Sequence, residues 1–168
     1  MRPVYQLHTW LWLPRPRDEV FAFFADAQNL ERITPPFLAF HIATPGPVDM
    51  RRGTIIDYRI GLRGLTITWR SEIATWEPPA RFSDVQLRGP YRAWEHTHLF
   101  EEQNGGTQVT DTVRYAVPGP ALTAALINSL FVAPDLKRIF TFRHEALQEA
   151  FGAGRQARAG AVEISRAV

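Results

Sequence analysis

Apolar positions along the chain fall into three patterns. Val4–Leu13 alternates in part and is rich in large apolar and aromatic residues, which predicts a strand. Pro16 opens a helical spacing through Val20, Phe21, Phe23 and Phe24, with Asp18 and Glu19 in the first turn where the helix dipole favours them. Asp26 is placed to cap a second short helix carrying Leu30 and Ile33, which Pro35 and Pro36 end. Phe37, Leu38, Phe40 and Ile42 read as a strand closed by Pro45-Gly46-Pro47.

From Gly53 onward the period is two. Thr54–Ile60 and Leu65–Trp76 flank a tight turn at Gly61–Gly64. On the second of these strands Leu65, Ile67, Trp69, Ser71 and Ile73 share a dry face, and Thr66, Thr68, Arg70 and Glu72 a wet one. Pro78–Pro79 breaks the pattern, Phe82–Leu87 makes another strand, and Gly89–Pro90 turns again. Asn104–Gly105 then predicts a type I′ hairpin between Tyr91–Glu101 and Thr107–Ala116. That turn sets Trp94 opposite Tyr115, His96 opposite Val113, His98 opposite Asp111 and Phe100 opposite Val109, all on the inward face. Glu95, Thr97, Glu101, Gln108, Thr110, Thr112 and Arg114 take the solvent face, joined by Leu99. Pro118-Gly119-Pro120 ends the sheet, and Ala121–Phe151 is helical through Leu122, Leu126, Leu130, Leu136, Ile139, Phe140, Leu147 and Phe151. Pro134 predicts a kink or a fresh helix start.

Strand, two short helices, a run of antiparallel strands and one long C-terminal helix define an α+β class: a curved sheet of about seven strands closed by a single helix that leaves room for a cavity. The 168 residues carry net charge +2. Arg155, Arg158 and Arg166 against Glu163 account for that charge in the Ala/Gly/Arg stretch 152–168, read as a disordered tail. The rest has 16 basic and 16 acidic groups and no basic stripe, so no nucleic-acid partner is expected. Absence of cysteine removes disulfides and thiolate chemistry, and no apolar run is long enough to span a membrane. The apolar stretch near the N-terminus is followed by charge rather than preceded by it, so it reads as a strand and not a secretory signal. A cytoplasmic location is the expectation.

Several stretches resemble the START-like, or SRPBCC, superfamily with its helix-grip fold, in particular its bacterial ligand-binding and polyketide cyclase/dehydrase-like branch. They are Asn29-Leu30-Glu31 with Thr34-Pro35-Pro36, Trp69-Arg70-Ser71-Glu72-Ile73, and Gly89-Pro90-Tyr91-Arg92 with Trp94-Glu95-His96-Thr97-His98 and Phe100. Gly106-Thr107 with Asp111, and Ile139-Phe140 with Arg143, complete the set. The resemblance covers about residues 4–151 and implies one START-like domain over 1–151 that holds a small hydrophobic ligand. The superfamily hosts carriers, sensors and enzymes, so it does not itself fix a reaction.

His96, His98 and Asp111 are the most chemical group. They can form a buried polar network, an acid/base pair in which Asp111 orients His98, or a two-His-one-carboxylate metal site. Same-face strand positions sit about 6.6 Å apart and nothing else demands a metal, so no metal and no cofactor is expected. Tyr58, Trp69, Trp94, Phe100 and Tyr115 either fill the core or wall a pocket. Arg59, Arg70 and Arg114 face outward, whereas Arg143, among apolar helix positions, either pairs with a buried carboxylate or reaches the cavity. Serine hydrolysis lacks a nucleophile elbow, with only Ser71 and Ser83 on inward faces, and no phosphate loop is present. The expectation is a small apolar or aromatic ligand bound by Tyr58, Trp69, Trp94, His96, His98, Phe100, Asp111 and Tyr115. The alternative is a cyclase/dehydrase in which His98 moves a proton; oligomeric state is left open.

Overall fold

The computed structural model describes residues 3–167; Met1 and Arg2 of the expected domain, and Val168 of the tail, lie outside it. The chain runs β1 (Tyr5–Leu13), α1 (Arg17–Ala25), α2 (Asn29–Arg32), β2 (His41–Ile42), β3 (Ile55–Leu62), β4 (Leu65–Glu77), β5 (Arg81–Arg88), β6 (Ala93–Gln103) and β7 (Gly106–Ala116). It continues through α3 (Ala121–Ile127), α4 (Ala133–Ala150), β8 (Arg158–Ala159) and β9 (Glu163–Arg166). The strands form one open antiparallel sheet in the order β2-β3-β4-β5-β6-β7-β1-β8, with β9 also pairing β1. Among the described residues no helix is long and apolar enough to cross a membrane.

Turn chemistry sets the register. Arg63–Gly64 and Asn104–Gly105 both take positive φ at two successive positions, as a type I′ turn requires. The β6–β7 register is the one the Asn-Gly turn predicts: Trp94 lies opposite Tyr115, His96 opposite Val113, His98 opposite Asp111 and Phe100 opposite Val109. On the outer face Arg70 donates two hydrogen bonds, of 2.7 and 2.9 Å, to Asp57 directly across the β3–β4 ladder. The core lies on the inner face, where Leu11, Phe21, Phe24, Phe82, Phe100 and Leu147 join sheet, α1 and α4.

Five expectations are corrected. The stretch from 152 is not a disordered tail in this fold: β9 pairs with Tyr5–His8 and β8 with Leu11–Trp12, raising the sheet to nine strands. Without them β1 would present a row of unpaired backbone donors and acceptors, and Val162 and Ile164 pack on the cluster around Leu7 and Val113. The segment Phe37–Ile42 is mostly not a strand. Residues Pro36–Leu38 form a 3₁₀ turn, Ala39 is left-handed, and only His41–Ile42 pairs. Leu122, Leu126 and Leu130 do not reach the core but are more than half exposed, while Ala124 and Asn128 turn inward. Ser83 sits opposite Thr97, on the face away from the histidines. At Pro134 the helix neither stops nor restarts. Residues Asn128–Val132 widen into a π-type turn that carries α3 into α4, with the imino acid second in α4.

Candidate functional site

The inner face of the sheet and the buried side of α4 enclose a cavity of about 430 Å³. Its walls are largely apolar, with Ile33, Leu38, Phe40, Ile67, Leu136 and Ile139 among them. Its floor is polar and comes from neighbouring strands: Tyr58 on β3, Asp84 on β5, and His96 and His98 on β6 line it, and Ser71 on β4 hydrogen-bonds to Tyr58 and Asp84. The helix contributes Arg143. In α4 the buried positions are Leu136, Phe140, Arg143, His144 and Leu147, one helical stripe with two basic side chains set into it.

Two hydrogen-bonded chains hold this floor. Trp69 Nε1 donates to Ser71 Oγ at 3.1 Å, and Ser71 Oγ donates onward to Asp84 Oδ2 at 3.3 Å. Because Ser71 has one proton to give and Asp84 receives it, the 2.7 Å contact between Tyr58 and Ser71 places the donor on Tyr58. In the second chain His96 Nε2 lies 2.8 Å from Asp111 Oδ1. His98 Nδ1 lies 2.8 Å from the same oxygen but is not aligned with it, and forms no hydrogen bond. The oriented imidazole is therefore His96, whereas the sequence pointed to His98.

Burial governs the ionisation of these groups. Burial opposes the Asp111 charge, yet His98 beside it and the His96 hydrogen bond overcome that cost and hold the carboxyl well below its ordinary range. Burial and the adjacent His98 push His96 down to about 3, so it is neutral at physiological pH and donates from Nε2. Its Nδ1 then offers a lone pair toward Asp84 Oδ1, 3.9 Å away. Burial pushes Asp84 up to about 6, against the pull of His98, Ser71 and Arg143. The floor thus holds a carboxylate behind the histidines that is ionised at neutral pH, and one at the cavity surface whose ionisation burial opposes.

Of the residues expected to form the site, Tyr58, Trp69, Trp94, His96 and His98 line the cavity. Asp111 stands behind the histidines. Phe100 packs into the core against Phe21, Phe24 and Phe82, and Tyr115 donates to Asn128 Oδ1 at 2.8 Å while stacking on Tyr5. Among the lining residues that sequence reasoning missed is Asp84. Its signal was present, since Asp84 follows Phe82 by two positions in a strand and so shares its face. His144 was also missed; its Nε2 lies 3.4 Å from the buried Thr9 hydroxyl.

Donor atoms of Asp84, His96 and His98 lie within 4.8 Å of one another. Zinc bonds of about 2.0–2.1 Å place ligand atoms roughly 3.3 Å apart in a tetrahedron, so these donors must close in around an ion, next to the Arg143 cation. The carboxylate in this cluster is Asp84 rather than Asp111.

A curved antiparallel sheet gripping one long C-terminal helix defines the helix-grip class of protein. Residues 13–139 match the family model described as polyketide cyclase/dehydrase and lipid transport, and the chain belongs to that family. No curated protein matches the sequence. Among solved structures, the fold is similar to protein Ms6760 from Mycobacterium smegmatis, at 18% identity and a TM-score of 0.64, over 88% of this chain and 91% of that one. It is also similar to the ginseng major latex-like protein 151 from Panax ginseng, at 10% identity and a TM-score of 0.57, over 88% and 97%. A nucleoside-diphosphate sugar epimerase from Corynebacterium glutamicum is similar at 28% identity and a TM-score of 0.59. There the match covers 86% of this chain but only 29% of the epimerase.

Proposed function

We propose that this protein binds a small apolar or aromatic ligand in the cavity between sheet and α4. The observation that carries the reading is the cavity itself, about 430 Å³ walled by Trp69, Trp94, Phe40 and Tyr58 around a buried polar floor. Membership in a family of cyclases, dehydrases and lipid carriers supports it. A ligand of about 25 heavy atoms at roughly −0.3 kcal/mol each gives low-micromolar affinity. Titration with the neutral dye N-phenyl-1-naphthylamine tests the proposal, with Ile67→Trp as the variant that fills the cavity. Saturable binding to the wild type that Ile67→Trp abolishes is expected; equal binding to both, or none to either, sinks the reading.

A second reading, proton transfer by His98 in a cyclase/dehydrase reaction, is supported by the place of His98 in the cavity wall with Nδ1 2.8 Å from Asp111. Catalysis there would come mainly from folding a flexible substrate into a reactive shape. Turnover of a poly-β-ketone substrate that survives His98→Ala with only weakened binding refutes it.

A further inference from the structure

Arg143 is 7% exposed and lines the cavity. Its Nε has no hydrogen-bond partner, and among the described residues no carboxylate lies within ion-pair distance of its guanidinium. The expected pairing with a buried carboxylate is thus not made. The closest compensation is the Phe140 ring, whose centroid is 4.8 Å from Arg143 Cζ, and a ring face satisfies charge but accepts few of five N–H donors. The carboxylates whose fields reach it are engaged elsewhere: Asp111 accepts from His96, and Asp84 accepts from Ser71. A buried guanidinium without acceptors is a costly group for a fold to keep. The cavity, which Arg143 lines, is the side from which an acceptor can reach it.

We propose that the ligand is an apolar body carrying an oxyanion (a carboxylate, phenolate or enolate) that sits on the Arg143 guanidinium. This deepens, and rests on, the cavity-binding reading. A planar fork of donors matches a two-oxygen acid, and charge-assisted hydrogen bonds in a water-poor site are the strong ones. Asp84 stands on the opposite wall as the group that senses the ligand's charge. It is faced by His96 and His98 from β6, Asp111 from β7, Ser71 and Tyr58 from β4 and β3, and Arg143 from α4. Because burial already pushes Asp84 up to about 6, a second negative charge nearby is accepted most readily when this carboxyl carries its proton. Binding of the acid therefore takes up a proton and weakens as the solution becomes alkaline.

The test compares 2-naphthoate with the isosteric neutral 2-naphthamide by calorimetry, on the full chain. The wild type binds naphthoate at least about tenfold tighter than naphthamide near pH 5.5, and the preference narrows toward pH 8. In Arg143→Met the preference vanishes while naphthamide binding stays within about threefold, and Arg143→Lys keeps part of it. Asp84→Asn keeps the preference at both pH values. Equal affinity of the wild type for the two probes overturns the oxyanion proposal and leaves the cavity reading standing, and needs no variant to fold. Preference retained in a folded Arg143→Met also overturns it. Absence of binding by either probe removes the cavity reading and this one together.

Discussion

Asp84 provides a test of the electrostatics that needs no ligand. Its carboxyl moves from an ordinary 3.8 in the unfolded chain to about 6 in the fold, where burial is the leading cause. At about 1.36 kcal/mol per pH unit, ionising it in the fold costs about 3 kcal/mol. The sign follows from the direction. A carboxyl raised by folding favours the protonated native state, so its full contribution to stability is present below about 3.8. It is lost as pH rises through the interval to about 6 and stays lost above it. Asparagine keeps the shape and the acceptor for Ser71 but cannot ionise. Asp84→Asn and the wild type should therefore be equally stable near pH 4, and the variant should gain until it leads by up to about 3 kcal/mol near pH 7. The side chain is 18% exposed toward the cavity, so water there makes this figure a ceiling. Urea unfolding followed by tryptophan fluorescence across that pH range reads the difference. His96, which titrates lower, contributes to both proteins and drops out to first order. A difference that is flat with pH, or that favours the wild type at neutral pH, would refute the buried-carboxyl argument.

Asp111→Asn removes the charged acceptor from His96 Nε2 and should lower stability by about 1.5–3 kcal/mol, or roughly 3–12 °C in Tm by calorimetry. That loss is full at neutral pH and shrinks in strong acid, where the wild-type carboxyl is itself protonated. Gly106→Ala forces a Cβ against the Leu13 carbonyl oxygen and to within 2.6 Å of the Trp12 ring, so a loss of about 1–3 kcal/mol is expected; an unchanged urea midpoint would contradict that contact. Deleting residues 158–168 uncovers the β1 edge. A lower Tm and self-association on size-exclusion chromatography should follow, and a truncated chain as stable and monodisperse as the full one would show that β8 and β9 add nothing.

The hairpin was legible to the residue because one Asn-Gly turn and an unbroken alternation determine every partner from Trp94 to Tyr115. β5 was legible only as a strand. Its ladder with β4 shifts register between Arg70 and Ser71 and again between Ile73 and Thr75, and a one-residue slip moves every side chain to the other face. That is how Ser83 was placed inward and Asp84 passed over. Leu122 and Leu126 of α3, and Leu130 just after it, have the right spacing for a buried stripe but are exposed, because helical spacing cannot report where the partner surface ends. At β9 two apolar side chains, Ile164 within the strand and Val162 just before it, were too few to outweigh an Ala/Gly/Arg composition, although a covered sheet edge needs little more than backbone pairing.

The polar floor could not have been selected for stability. Two buried carboxylates, two imidazoles and a guanidinium are expensive to desolvate, and apolar residues of similar volume would hold sheet to helix at least as well. Those that form complete networks, Asp111 with His96 and Tyr58 with Ser71, can be explained as keeping the strands in register. Asp84 and Arg143 cannot, because among the described residues Asp84 makes one long hydrogen bond and Arg143 lacks a hydrogen-bond partner at Nε and an ion-pair partner. Both face the same cavity, from opposite walls. Groups left incomplete by the fold, aimed at the same space, and opposite in charge are complementary to something polar that enters it, and that is a constraint of binding rather than of folding.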